Sequence, residues 1–369
     1  MACRAIARYH DQHFQITLQR RIPARMTGPD QPADWQWSLD PPLLRDALSR
    51  FGCKPETAEP VGSFISKVYA CQREHDWIAL KITPDWFHDR NEILAELDFI
   101  IFLDRNNVPV LRPVRSDGNQ LVEVIPSDDA DLLAYASQWI DGEAVEGPDW
   151  TADYFRRAGA MMGHIHAAST LYPTVRKRQR RPHWDHDDYY EERLARLPAR
   201  LSHIAANARQ LVERLRGLPS DPAHFGLLHG DMNVGNLLCC DDGSMRVIDF
   251  ENCYYGWFMD DIAAALYYTA HDRWEYFPGD TYLQWSAANG LAPDGAAFGN
   301  FYLTHFLEGY TSVRPVGGEW IARIPDFLHL RHLDEFLAKF DGSPSLFDAE
   351  GNRATLESYV RELEAGIFL

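Results

Sequence analysis

The chain lacks an apolar run approaching ~18 residues, so no membrane-spanning helix is expected. Its first stretch, MACRAIARYHDQHF, has no continuous apolar segment and does not read as a secretory signal. Cysteine is sparse: six residues, none in a CxxC pair, which excludes a cysteine-based zinc site and a disulfide framework. These thiols are expected in a reducing, cytoplasmic setting. Positive charge is in deficit, with 36 Lys and Arg against 54 Asp and Glu, a net charge of -18 and a pI near 5.2. That balance speaks against nucleic acid or an anionic membrane as partner and leaves a small neutral or cationic molecule. Glycine-rich phosphate loops are missing too: neither GxGxxG nor GxxxxGK[ST] occurs, which excludes a P-loop enzyme. No internal repeat is present.

What is there is a chain of 369 residues, enough for two lobes, whose character changes near Gly142. Residues 1–40 show no period and read as an extended or poorly ordered arm. A short helix follows from Leu43 and stops at Gly52. Residues 58–82 read as strands, VGSFISKVYACQ and WIALKIT, separated by a turn at REHD. DRNEILAELDFIIFLDRNN reads as an amphipathic helix with Ile93, Leu94, Leu97, Ile100, Ile101 and Phe102 on its apolar face. Strand-like runs come at Val110–Val114, Leu121–Ile125 and Leu132–Ile140. Beyond Gly142 the pattern is helical, except for a strand–turn–strand around DDGS near residue 242.

That strand–turn–strand carries the most informative residues, HGDMNVGN at 229–236 followed by IDFEN at 248–252. Asp231, Asn236 and Asp249 suit phosphoryl transfer from Mg·ATP. The first carboxylate can orient and deprotonate an attacking hydroxyl. The Asn carboxamide and the second carboxylate are hard oxygen ligands for Mg²⁺ bridging the phosphates. A hairpin at DDGS is expected to bring Asn236 and Asp249 together at its open end.

HGDMNVGN and IDFEN resemble the catalytic loop and metal segment of the aminoglycoside phosphotransferase and choline kinase superfamily. The resemblance covers roughly residues 55–345 and is strongest at 226–266. It implies an α+β, bilobal protein-kinase-like fold: a strand-rich N-lobe over 41–137, a hinge at 138–142 and a mainly helical C-lobe over 143–369. Asp231 then is the catalytic Asp, with Asn236 and Asp249 as metal ligands. His229 is implied to be structural. Asp261 is implied to brace the catalytic loop, with a helix N-cap as the other reading. Lys81, in Ala79–Leu80–Lys81, resembles the phosphate-binding Lys of kinase strand three. Glu96 is implied to be its helix partner, with Glu92 one turn earlier as fallback. Gly62, Ser63 and Ser66 stand where the reduced phosphate loop is implied, and Gln138 and Ile140 where the hinge would meet adenine.

The implied activity is ATP- and Mg²⁺-dependent phosphorylation of a hydroxyl on a small molecule: an amino alcohol, amino acid, sugar or aminoglycoside. Aromatics and acids are interleaved over 254–310, and the family's acceptor site falls in that region. Glu251, Trp257 and Glu308 are the candidate acceptor contacts, for a substrate expected to carry positive charge, with a helix-capping or solvated position as the other reading of Glu308. The basic run Arg176–Arg181 reads as a solvated loop, with an anion contact or a partner patch as the other reading. Two rivals stand beside this reading. A protein kinase is disfavoured because helix follows Asp249 within a dozen residues, with no APE-like segment. A nucleotide-binding pseudokinase or scaffold is kept open by the glycine-poor loop.

Overall fold

Pro41 stands at the first position of helix α1 (Pro41–Arg50), and Gly52, at φ 65°, lets the chain reverse direction after the helix. The computed structural model describes residues 38–63, 66–128, 130–172, 181–186, 188–271, 273–342 and 350–366. The arm expected over 1–40 falls almost wholly outside them, as do the side chain of Ser63 and positions 176–180 of the basic run. The chain divides into two compact units: Met1–Ala144 with Pro173–Arg181 and Leu238–Glu251, and Val145–Tyr172 with Pro182–Leu237 and Asn252–Leu369. Mixed antiparallel sheet and helix give the kinase-like α+β fold expected from the sequence.

In the first unit β1 (Glu59–Ser63), β2 (Lys67–Gln72) and β3 (Trp77–Pro84) form an antiparallel meander. Helix α2 (Arg90–Arg105) follows, capped by the Asp89 carboxylate, which accepts from the Asn91 and Glu92 amides. β4 (Pro113–Val114) and β5 (Glu123–Ile125) both pair with β6 (Leu132–Gln138), which lies against β3. Alternation fixes the faces: Ile78, Leu80 and Ile82 of β3 point into a core shared with Leu132, Ala134 and Ala136 of β6 and with Ala47, Leu48 and Phe51 of α1. Lys81 and Ala79 face the opposite side. On α2 the buried residues are Ile93, Ala95, Glu96, Leu97, Phe99, Ile100 and Leu103. Leu94, Ile101 and Phe102, expected on the apolar face, are only half-buried, because the contact stripe is centred on Glu96, Phe99 and Leu103.

The DDGS hairpin forms as expected, between β8 (Leu237–Cys240) and β9 (Met245–Val247), although its second strand ends before Phe250. The sequence reading placed it in the helical lobe. The structure groups it with the strand-rich unit, because β7 (Gly142–Ala144) pairs antiparallel with β8 and Val247 bridges to Val110.

The second unit is mainly helical, with one antiparallel strand pair, Phe225–Leu227 with Tyr255–Trp257. Thr151 caps α3 (Ala152–Ser169) through the Tyr154 amide. The pattern broken at Pro198 resolves into α4 (Tyr189–Arg196) and α5 (Ser202–Arg216). Further on come α6 (Phe258–His271), α7 (Gly295–Val313) and α8 (Ile324–Gly342). Helices α3 and α7 approach to backbone contact. A Cβ on Gly159 would collide with the Phe306 carbonyl, and one on Gly309 with the Arg156 carbonyl. Tyr267, Tyr282, Phe298, Tyr302, Phe306 and Tyr310 are core residues of this unit. Among the described residues no helix is long and apolar enough to cross a membrane.

Candidate active site

Lys81 stands in the middle of β3, opposite Val68 of β2 and Tyr135 of β6. Its Nζ donates to Asp249 Oδ1 at 3.1 Å and to Glu251 Oε2 at 2.5 Å. Burial drives the ammonium towards its neutral form, but Asp249 and Glu251 outweigh that and hold its pKa well above the ordinary value. The lysine is therefore a fixed cation. Asp249 follows β9 with φ 64°, a left-handed conformation that Asp enters more readily than most side chains.

Lys81, Asp249 and Glu251 line one cavity, whose apolar walls include Val61, Ala79 and Leu238. Gly62 and Ser66 reach it from the β1–β2 turn, and Trp139 and Ile140 from the segment after β6. Glu96 and Tyr135 line it as well. Ser66 Oγ, Glu96 Oε2 and Tyr135 Oη are buried there without a hydrogen-bond partner among the described residues. Such atoms cost about 1–3 kcal/mol each unless water or a ligand satisfies them, so the cavity is built for a polar guest.

The sequence reading paired Lys81 with Glu96. The structure pairs it with Asp249 and Glu251 instead. Two carboxylates on one short turn take the ammonium, and Glu96 shares the cavity with no ion pair to it. Burial raises the Glu96 pKa to about 7, with Arg181 and Lys81 opposing the rise. Glu92, the fallback, sits 3.4 Å from His88 Nδ1 instead.

In the second unit the HGD loop is held by Asp261. Its Oδ2 accepts the His229 amide at 2.9 Å and its Oδ1 the Gly230 amide at 2.9 Å. His166 Nε2 lies 3.0 Å from Oδ2, and His166 Nδ1 lies 3.0 Å from the Tyr310 hydroxyl. Burial lowers the His166 pKa, so its neutral ring donates to Asp261 and accepts from Tyr310. Burial would raise the Asp261 carboxyl, but the hydrogen bond from His166 leads the interactions that pull it below the ordinary value. Gly230, at φ 84°, cannot carry a side chain here, because a Cβ would strike the Asn252 carbonyl. The Asp231 amide donates to His229 Nδ1 at 3.2 Å, and Asp231 Oδ1 accepts from Asn233 Nδ2 at 3.0 Å. Asn236 ends a short 3₁₀ turn, and its Nδ2 donates to the Asp231 carbonyl at 2.8 Å, which orients the amide oxygen.

Other expected positions land elsewhere. The Gln138 amide donates to the Arg112 carbonyl at 2.9 Å and Gln138 does not line the cavity; Trp139, which the sequence reading did not single out, lines it beside Ile140. Glu251, taken for an acceptor contact, is a partner of Lys81. Trp257 is core: its indole donates to the Pro219 carbonyl at 2.9 Å and its ring packs on Trp184, Phe225 and Phe327. Glu308 lies on an exposed helix face, bound to Arg156 Nε at 2.6 Å and 3.2 Å from His305 Nδ1. The reading also missed Tyr135 and Arg181. Tyr135 stands opposite Lys81 only through the β3–β6 register, which the sequence does not display.

Each unit brings a hard oxygen of the kind a divalent cation prefers: the Asp249 carboxylate in the first and the Asn236 amide oxygen in the second. Among the described residues no cluster of three or more His, Cys, Asp or Glu could hold a metal by itself.

A lysine on the third strand of an antiparallel sheet, an acid-bearing turn facing it, and an Asp-braced HGD loop define a kinase-like phosphotransferase. The chain belongs to the phosphotransferase enzyme family, which matches residues 57–316, and it is a small-molecule kinase. It is 26% identical over 292 residues to amicoumacin kinase of Bacillus subtilis (strain 168), covering 79% of this chain and 82% of that protein. Among solved structures it resembles the amicoumacin kinase hAmiN in complex with AMP-PNP, Ca²⁺ and Ami, at TM-score 0.75 and 26% identity over 89% of this chain and 94% of that one. The microcompartment-associated aminopropanol kinase shares the fold, with TM-score 0.67 and 20% identity over 89% of this chain and 99% of that one.

Proposed function

We propose that the protein transfers the γ-phosphoryl group of ATP, with Mg²⁺, to a hydroxyl of a small molecule that carries a positive charge. The observation that carries this reading is the charged Lys81 held against Asp249 in an otherwise largely apolar cavity. A buried cation and a carboxylate suit a phosphate chain and its metal, and the apolar walls suit a base.

In this reading Lys81 grips the phosphates, with Gly62, Ser63 and Ser66 covering them, and Ile140 and Trp139 meet the adenine edge. Asn236 and Asp249 would hold Mg²⁺, which when bound neutralises phosphate charge. Asp231 orients the acceptor hydroxyl and takes its proton. His229 and Asp261 keep the loop backbone in place. Catalysis is then mainly positioning and charge neutralisation. The cationic acceptor is supported by the net charge of -18, which speeds encounter with a cation.

The test is ATP consumption across a panel that includes amicoumacin, aminoglycosides, amino alcohols, homoserine and neutral sugars. Turnover is expected with a hydroxyl compound bearing an amine, and its kcat/KM should fall as salt screens the attraction. A neutral or anionic best acceptor overturns the charge assignment. Mg·ATP binding with no turnover on any acceptor would favour a nucleotide-binding scaffold. As a metal control, Asp249→Ala should lose the thermal stabilisation that Mg·ATP gives the parent. That stabilisation is worth about 2.7 kcal/mol at a hundredfold excess over Kd. An unchanged thermal shift in the mutant removes Asp249 from the metal role.

A further inference from the structure

Arg181 closes the basic run RKRQRR, yet it is buried, with 4% of its surface exposed. One guanidinium nitrogen donates to the Glu92 carbonyl, in the first turn of α2, at 3.2 Å. Another donates to the Glu251 carbonyl, in the turn after Asp249. One planar fork thus holds the backbone of two elements that are 159 residues apart in sequence, counted from Glu92 to Glu251 (251 − 92). Both elements line the cavity, one through Glu96 and the other through Asp249 and Glu251. Burying a guanidinium is costly without compensation, and here the compensation is two carbonyls and the nearby Glu96.

We propose that Arg181 is a positioning residue that ties the Asp249–Glu251 turn to α2 and so sets the turn for metal-bound nucleotide. This rests on the Mg·ATP reading above. No direct Lys81–Glu96 ion pair joins the strand to the helix. Beside the Phe250–Phe99 ring contact and His88, which lies 3.4 Å from Glu92 Oε2 and 3.9 Å from Glu251 Oε2, Arg181 ties backbone to backbone, from the Glu251 carbonyl to the Glu92 carbonyl. A lysine has one nitrogen at the end of a flexible stem and cannot set two nitrogens in a fixed plane against two separate carbonyls, so arginine suits the geometry. Without the fork, the turn keeps its Lys81 bonds and the Phe250–Phe99 contact but loses this backbone tie to α2, and re-setting it is subtracted from the affinity of metal and nucleotide. Nucleotide bound without metal does not call on Asp249 in this way and should be insensitive.

The experiment is calorimetric titration of the full chain with AMP-PNP, in Mg²⁺ and in EDTA, for the parent, Arg181→Lys and Arg181→Gln. Both variants are expected to bind about tenfold more weakly in Mg²⁺ while staying within about twofold of the parent in EDTA. Equal losses in both conditions would make the role merely structural and overturn the proposal. Unchanged affinity would do the same, as would full rescue by Lys, since charge alone would then suffice. Failure of both variants to fold would assign Arg181 to stability and also overturn it. A parent that binds no AMP-PNP in Mg²⁺ would instead overturn the underlying Mg·ATP reading.

Discussion

Asp231→Asn is expected to bind Mg·ATP nearly as the parent does and to lose at least ~10²-fold of turnover, the lower end for a positioned acid–base group. The substitution is isosteric. Oδ1 can still accept from Asn233, and the Asp231 carbonyl still orients Asn236, so the loop should keep its shape. What disappears is the carboxylate that holds the hydroxyl in line and takes its proton. The loss should therefore appear equally in kcat and kcat/KM, with nucleotide affinity untouched. Initial rates with the acceptor found in the panel, beside calorimetric titration with Mg·AMP-PNP, check this. Near-normal turnover would remove Asp231 from catalysis. Parallel loss of nucleotide affinity would point to damage in the metal site instead.

Residues whose role depends on local spacing were legible in the sequence. A lysine inside WIALKIT is conspicuous because a buried strand tolerates a cation only beside a counter-charge, and the structure supplies Asp249 and Glu251. The hairpin could be read because DDGS is turn chemistry between apolar runs. The β1–β2 break was hidden inside VGSFISKVYACQ, where only Gly62 and two serines interrupt the pattern. Residues whose role depends on distant partners were not legible. Glu308 read as a pocket carboxylate, and only the packing of α7 on α3 delivers Arg156 to it. Trp257 read as a pocket aromatic, and only the fold brings the Pro219 carbonyl to its indole N–H. Arg181 was masked by its neighbours, because a run of like charges reads as solvated whichever member turns inward. Glu96 was read correctly as a helix residue of the cavity unit, but pairing strength is set by distances, and Glu251 is closer to Lys81.

Asp261→Ala should destabilise the fold by several kcal/mol, at about 1–3 kcal/mol for each buried donor left without an acceptor. Three donors lose their acceptor together: the His229 and Gly230 amides and His166 Nε2. All belong to groups sealed from solvent, since His166, His229 and Asp261 are fully buried. An N-cap would not have this signature, because a cap serves its own helix, whereas these amides lie some thirty residues upstream on the loop that carries Asp231. Activity should fall further than stability alone predicts, because freeing the two amides also loosens the backbone before Asp231. The pH dependence separates the network's members. His166 has a lowered pKa in the fold, so the unfolded chain binds a proton that the folded chain refuses. Its contribution is complete above about 6.5, the ordinary imidazole value, and is lost as pH falls through that value. Asp261 also has a lowered pKa, so its contribution is complete above about 3.9 and is lost only below it. Urea unfolding of the parent should thus show stability declining from about pH 6.5 downward, with a second loss below about pH 4. In Asp261→Ala the midpoint should be lower at every pH, and the second loss should be smaller. An unchanged midpoint at neutral pH would mean that water or neighbouring groups satisfy the amides, and Asp261 would then not brace the loop.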